Sequence, residues 1–202
     1  MAHFLVELAK KAVESYIEKG EVISPFNNLP KDALTKRAGT FVSIFQTNTK
    51  NLRGLPRSEP KALLRGCIGT YLPTRINVAE EVIRNAIAAA TEDCRFNPIE
   101  QKELSFLRYT VYILSYPEPV KDIKELDPKK FGIIVKTGPF TYPNQENVVF
   151  DDVIPYKTGL LLPDLDGVDT IEKQISITCQ KGGIDPTQEK TFIYKFTVEK
   201  YQ

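Results

Sequence analysis

The sequence is poor in the residues that bind metals or build disulfide scaffolds. His3 is its only histidine, and its three cysteines, Cys67, Cys94 and Cys179, are widely spaced, with no Cys-x-x-Cys pair among them. A structural zinc site therefore lacks its ligands, and an odd number of scattered thiols does not predict a disulfide framework. Free thiols are typical of a reducing compartment.

An excess of one charge and a long apolar run are also absent. The 27 Lys and Arg residues nearly balance the 26 Asp and Glu residues, for a net charge of +1, whereas a dedicated nucleic-acid binder carries a basic excess. No apolar run approaches the ~20 residues that a membrane span requires. Glu7 and Lys10 interrupt the apolar N-terminal segment, which makes it a poor signal peptide. We therefore expect a soluble, cytoplasmic protein that binds neither nucleic acid nor membrane.

The common cofactor motifs are missing as well. The sequence has no phosphate-binding glycine pattern and no Gly-x-Ser-x-Gly elbow, which argues against a nucleotide site and a serine hydrolase of that kind. The segment 164–169 has aspartates at a spacing that suggests calcium, but Ile175 stands where an EF-hand requires a bidentate glutamate. We interpret this segment as a turn followed by a helix cap at Asp169. No cofactor is identifiable from the sequence.

The hydrophobic pattern predicts helices and strands in an uneven order. Helices are expected over 2–19 (closed by Gly20), from Asn77 to Thr91, and from Asp169 to the glycines at 182 and 183. Strands are expected over 40–46, 63–71, 106–116, 131–136, 148–150, 160–163 and 191–201, and a surface loop over 48–60. Because strands and helices do not alternate regularly, we favour an α+β fold with a mixed sheet over a doubly wound parallel one.

The strand predicted over 63–71 is the most informative segment. It contains Arg65, Gly66, Cys67 and Gly69 inside an otherwise apolar pattern. Glycine within a strand marks a bulge or a close approach by a ligand or another backbone, and an arginine there needs a partner or an open face. Alternation places Arg65 and Cys67 on one face, where a guanidinium favours the thiolate. We therefore expect a cleft in which Cys67 is a candidate nucleophile and Arg65 an anion clamp.

Other interpretations of the same residues remain open. Cys67 can equally be a small buried hydrophobe, with Arg65 paired to a carboxylate elsewhere. If the site is catalytic, the acid or base would be a carboxylate such as Glu80, Glu81 or Asp93. The start of the helix at residue 77 is a further candidate for anion binding. If the site is not catalytic, the same strand would serve as a groove for a protein or peptide partner.

Several stretches carry a resemblance to a known family. A Leu-Arg-Gly-Cys-Ile-Gly core stands intact at Leu64 to Gly69, preceded by Gly-Thr-Phe-Val at 39–42 and followed by Asn-Ala-Ile-Ala-Ala-Ala at 85–90 with Asp93, Arg95 and Phe96. In this order the stretches resemble the AMME chromosomal region gene 1 family (the AMMECR domain). One departure is Cys94, which stands where the family usually has proline.

The resemblance implies a two-lobed, single-domain α+β fold over residues 1–202, with a mixed or antiparallel sheet flanked by helices and a cleft shared by the lobes. It makes the motif strand the functional element, with an unknown small molecule or protein as its ligand. Similar domains occur beside Memo-type and radical-SAM proteins, which implies such partners. The residues then expected to contact a ligand, besides Arg65 and Cys67, are Gly66, Ile68, Gly69, Thr70, Asp93 and Arg95.

Overall fold

A computed structural model describes residues 3–26, 28–47, 62–139 and 156–202. The chain forms two compact units, the first made of Met1–Leu114 with Glu199–Gln202, and the second of Ser115–Val198. Each unit contains a four-stranded sheet and at least one helix. The predicted α+β class is confirmed, although with two sheets instead of one. The predicted cleft shared by two lobes stays a prediction.

In its described residues, the first unit combines its sheet with three α-helices. The helices are α1 (Phe4–Lys19), α2 (Lys31–Thr35) and α3 (Val78–Thr91), and a 3-10 helix spans Gln101–Phe106. The strands are β1 (Thr40–Gln46), β2 (Leu63–Gly69), β3 (Leu107–Leu114) and β8 (Val198–Tyr201), in the order β2-β1-β3-β8. Strand β2 therefore lies at one edge of this sheet.

Capping groups mark both ends of α1 and the start of α3, and α1 begins two residues later than predicted. The Nδ1 atom of His3 accepts a hydrogen bond from the Leu5 N–H at the start of α1, and Gly20 ends the helix with a φ of 73°, a conformation that favours glycine. Helix α3 starts after Asn77, whose side chain accepts from the Glu80 N–H at 2.9 Å. These caps act within one turn, which is why sequence alone located both helices.

The core of the first unit lies between the helices and one face of the sheet. Val42 and Ile44 of β1 and Val111 of β3 are fully buried there, on alternate positions of their strands. Helices α1 and α3 pack on each other and on this sheet. The buried residues of β3 alternate along the strand, as the apolar pattern of the sequence indicates: Leu107, Tyr109, Val111 and Ile113.

The second unit has a smaller core. Its strands are β4 (Glu118–Pro119), β5 (Gly132–Lys136), β6 (Thr158–Leu161) and β7 (Phe192–Phe196), in the order β4-β7-β5-β6, and its helices are α4 (Ile171–Gly182) and a 3-10 helix (Ile123–Glu125). The predicted cap at Asp169 is wrong, because the Thr170 side chain accepts from Lys173 N–H while Asp169 pairs with Lys129 at 3.2 Å.

The structure corrects several predicted strands. Strand β3 ends at Leu114, two residues earlier than predicted, and β6 spans Thr158–Leu161 where 160–163 was predicted. The strand predicted over 191–201 is divided into β7 and β8, which belong to different sheets. The break lies at Thr197, whose N–H and C=O both bond to Ser115 and so leave the alternating pattern. Strand β2 ends at Gly69, two residues earlier than predicted. The predicted loop 48–60 and strand 148–150 lie outside the described residues.

Among the described residues, no helix has both the length and the apolar character needed to cross a membrane.

Candidate functional site

Strand β2 contains a β-bulge in the middle of the motif. Its antiparallel pairing with β1 places Gly66 opposite Ile44 but Leu64 opposite Phe45. Two residues of β2 therefore advance against one residue of β1, and Arg65 is the extra residue. Because the bulge interrupts the alternation of side chains along the strand, the side chains of Arg65 and Cys67 contact different groups.

The guanidinium of Arg65 is hydrogen-bonded to acceptors within the first unit. Its Nε and Nη2 atoms donate to the two carboxylate oxygens of Glu103 at 2.8 and 2.9 Å, and Nη1 and Nη2 donate to the carbonyls of Asn97 and Pro98 at 2.8 and 3.2 Å. The hydrogen bond from Arg65 holds the pKa of the Glu103 carboxyl below its usual value. Only 14% of the Arg65 side chain is exposed. The anion-clamp role of Arg65 stays a prediction, and these contacts favour the alternative in which it pairs with a carboxylate.

The glycines of the motif permit close packing between backbones and rings. A Cβ atom at Gly66 would collide with the carbonyl oxygen of Ala89 in α3, and one at Gly69 would collide with the ring of Phe41. The strand thus has both features that its glycines predict, a bulge and a close approach. At Gly66 the approaching group is the backbone of α3. Ile68, between the two glycines, packs against the core.

The Cys67 thiol lies beside hydroxyl groups on the sheet face opposite the core. Ser43, directly across on β1, donates its Oγ–H to the Cys67 Sγ at 3.2 Å. Burial raises the pKa of Tyr112, the nearby Cys67 also raises it, and a hydrogen bond with Ser43 acts in the opposite direction.

Asp93 and Arg95 hold the peptide groups of Cys67 at the sheet edge. Asp93 Oδ2 accepts the Cys67 N–H at 2.8 Å, and Arg95 Nη2 lies 3.4 Å from the Cys67 carbonyl oxygen. Arg95 also donates from Nε and Nη2 to the two Asp93 oxygens at 2.9 and 2.7 Å. The pKa of Asp93 is lowered to about 2, mainly by the hydrogen bond from the Arg95 side chain. Burial acts in the opposite direction, and the backbone N–H groups of Cys67 and Arg95 lower the pKa further. Asp93 is therefore ionised at neutral pH.

Glu81, another predicted acid or base, instead holds a loop. This fully buried carboxylate accepts from the hydroxyls of Thr70 and Thr74 at 2.6 and 2.9 Å, and from the N–H groups of Thr74 and Arg75, both at 2.7 Å. The Thr70 hydroxyl, predicted to contact a ligand, is thereby bonded within the protein. Of the three candidate carboxylates, Asp93 is the one that bonds to Cys67.

The structure thus brings together Cys67, Asp93 and Arg95, and adds two residues that sequence reasoning missed. Ser43 lies on β1 and Tyr112 on β3, at positions that alternate with the core residues Val42, Ile44, Val111 and Ile113. The available signal was a serine in the middle of the apolar β1 segment, but strand register was needed to connect it to Cys67. Across the described part of the chain, no group of three or more His, Cys, Asp or Glu side chains could hold a metal ion.

Comparisons with known proteins agree along nearly the whole chain. The model of the AMMECR1 family matches residues 6–201. A Thermotoga maritima protein is 43% identical over 99% of this chain and 98% of its own length. A Clostridium acetobutylicum protein is 36% identical over 98% of this chain, which spans 40% of that longer relative. The crystal structure of PH0010 from Pyrococcus horikoshii matches with a TM-score of 0.75 and 30% identity, over 98% of this chain and 89% of that one.

Proposed function

The chain belongs to the AMMECR1 family, and we propose that it binds a small molecule at Cys67, with the thiol as the reactive group. The observation that carries this proposal is the hydrogen bond from Ser43 to the Cys67 sulfur at 3.2 Å. A donor directed at sulfur stabilises the thiolate, which is the nucleophilic form.

The remaining groups position the thiol and take no proton from it. Asp93 is ionised and already accepts four hydrogen bonds, from the Cys67 N–H and from three N–H groups of Arg95. These bonds restrain the backbone of Cys67 from the open edge of the sheet, while β1 restrains it from the other side. A reactive group held on a strand by such bonds keeps its geometry when a ligand arrives.

A partner groove along β2 is the second candidate function. Leu63 and Leu64 are 52% and 37% exposed at the start of this edge strand, which favours contact with another protein. However, Asp93 and Arg95 occupy the outward N–H and C=O of Cys67, so an added strand would have to displace them. The Memo-type and radical-SAM partners and the cytoplasmic location stay predictions.

The proposal is tested by the pH dependence of Cys67 alkylation with iodoacetamide, followed by mass spectrometry. Cys94 is exposed and Cys179 is buried, and burial raises the pKa of the Cys179 thiol, so the two serve as accessible and inaccessible references. We expect Cys67 to react with an apparent pKa below the ordinary ~8.5.

Variants at Ser43 connect the reactivity to the hydrogen bond. Ser43→Ala should slow the reaction at neutral pH roughly tenfold, the effect of a bond worth about 1.4 kcal/mol. Ser43→Thr keeps the hydroxyl and should retain most of the rate. Cys67 that reacts only after unfolding, or at the same rate in Ser43→Ala, would refute the proposal.

A further inference from the structure

We infer that the ligand of this site carries a carboxylate or phosphate group and that Arg95 binds it, an inference that rests on the proposed function. An arginine that binds such a ligand must have donors that are not already bonded within the protein. Arg65 was the sequence-based choice, but its Nε, Nη1 and Nη2 atoms all donate to protein acceptors and its side chain is largely buried.

Arg95 combines exposure with a restrained orientation. Asp93 binds its Nε and Nη2 atoms on one edge of the guanidinium, and the guanidinium carbon lies 5.4 Å from the centre of the Phe96 ring. The side chain is 55% exposed, and within the described residues Nη1 donates to no acceptor. A guanidinium fixed in this way offers its free donors to an oxyanion at a low cost in conformational entropy.

The position of Arg95 connects it to the thiol. Its Nη2 atom lies 3.4 Å from the carbonyl oxygen of Cys67, and Asp93 joins the same guanidinium to the Cys67 N–H. The guanidinium therefore lies beside the peptide groups of the residue that carries the thiol. An anionic group held on Nη1 would place the rest of a small ligand beside this edge of β2.

The neighbouring carboxylate limits the strength of this site without removing it. The Asp93 side chain is 5% exposed, and its carboxylate accepts hydrogen bonds from Arg95 and from the Cys67 N–H. An incoming anion meets the exposed Nη1 edge instead of the buried carboxylate. Because the ion pair is formally neutral, we expect binding of a simple anion in the millimolar range or weaker.

Two alkylating reagents that differ in charge test the inference on the intact protein. Iodoacetate and iodoacetamide both transfer a carbon to the thiolate and release iodide, but iodoacetate carries a carboxylate. The rate with iodoacetate is divided by the rate with iodoacetamide, both for Cys67 and for N-acetylcysteine, which has no neighbouring guanidinium and serves as the reference. We expect the ratio at Cys67 to exceed the reference about fivefold or more, and to fall to the reference in Arg95→Gln.

Three further variants identify the arginine that is responsible. Arg95→Lys keeps the charge and should retain part of the iodoacetate preference. Arg84→Gln is the matched control, because Arg84 is also exposed and also paired with a carboxylate, that of Glu92. Arg108, an exposed residue of β3, is the rival anion site on the first unit's sheet. Loss of the preference in Arg108→Gln instead of Arg95→Gln would overturn the inference.

The outcomes separate this inference from the function on which it rests. If Cys67 reacts readily with iodoacetamide but shows no iodoacetate preference, the anion site is refuted and the thiol site stands. If neither reagent modifies Cys67 in the folded protein, the thiol site itself fails. Where Arg95→Gln does not fold, salt serves in its place: 0.5 M NaCl should remove the iodoacetate preference and leave the iodoacetamide rate unchanged.

Competition then distinguishes the two anion classes. Acetate and inorganic phosphate are added separately during alkylation by iodoacetate. If only acetate slows the modification by iodoacetate, the ligand carries a carboxylate. If only phosphate slows it, the ligand carries a phosphate group. No protection by either anion at 100 mM, at constant ionic strength, would contradict the inference.

Discussion

Replacing Asp93 by asparagine should destabilise the first unit by about 2 kcal/mol at neutral pH. The fall of the pKa of Asp93 from its usual 3.8 to about 2 measures how strongly the folded protein prefers the ionised carboxylate. At about 1.4 kcal/mol for each pKa unit, the preference corresponds to about 2 kcal/mol of folding free energy. This is an upper figure, because the Arg95 side chain is 55% exposed and salt screens its charge.

The sign of the pH dependence follows from the lower pKa in the folded state. Above about pH 5 the carboxylate is ionised in both the folded and the unfolded chain, and its full contribution is present. As the pH falls towards 2, the unfolded chain takes up the proton first, so this part of the stability is lost. The difference between wild type and Asp93→Asn should therefore be largest at pH 5–7 and shrink towards pH 2.

Urea denaturation followed by far-UV circular dichroism at pH 7, 5, 3 and 2 measures this difference. Glu92→Gln is the control, since Glu92 forms an exposed ion pair with Arg84 and should cost less than about 0.5 kcal/mol. A destabilisation by Asp93→Asn that is equally large at pH 2 and pH 7 would show that the loss is steric. A loss no larger than that of the control would show that the Asp93–Arg95 pair contributes little.

Three further substitutions test the packing around the site by urea denaturation at pH 7. Gly66→Ala should destabilise by about 2 kcal/mol or more, because its Cβ would collide with the Ala89 carbonyl of α3; a neutral result would mean that α3 can move away. Tyr109→Phe should be neutral or stabilise by up to about 1 kcal/mol, since the buried hydroxyl has no hydrogen-bond partner among the described residues; a clear loss would reveal a missed partner. Glu81→Ala should cost about 3 kcal/mol or more by leaving donors of loop 70–75 unpaired, and a loss below 1 kcal/mol would show that water replaces the carboxylate.

The candidate site was predictable only in part. The motif strand and its glycines could be read from the sequence, and Cys67, Asp93 and Arg95 were named as candidates partly through the family resemblance. The partner of Arg65 could not, since Glu103 lies 38 positions away along the chain. The bulge at Arg65 was equally hidden, because it is a property of the pairing of β2 with β1 and not of β2 alone.

Local rules explain what the sequence determined by itself. The bounds of α1, α3 and β1 and the buried face of β3 follow from apolar periodicity and from capping groups that act within a few residues. Tertiary structure decided which of these elements exchange hydrogen bonds. It divided one alternating segment into β7, which pairs with β4 and β5 in one sheet, and β8, which lies at the edge of the other sheet beside β3. It also brought Ser43 to the thiol across 24 positions, through the register in which β1 pairs with β2. It brought Asp93 to the N–H of Cys67 across 26 positions, because an edge strand leaves its outward peptide groups open to the segment that follows α3.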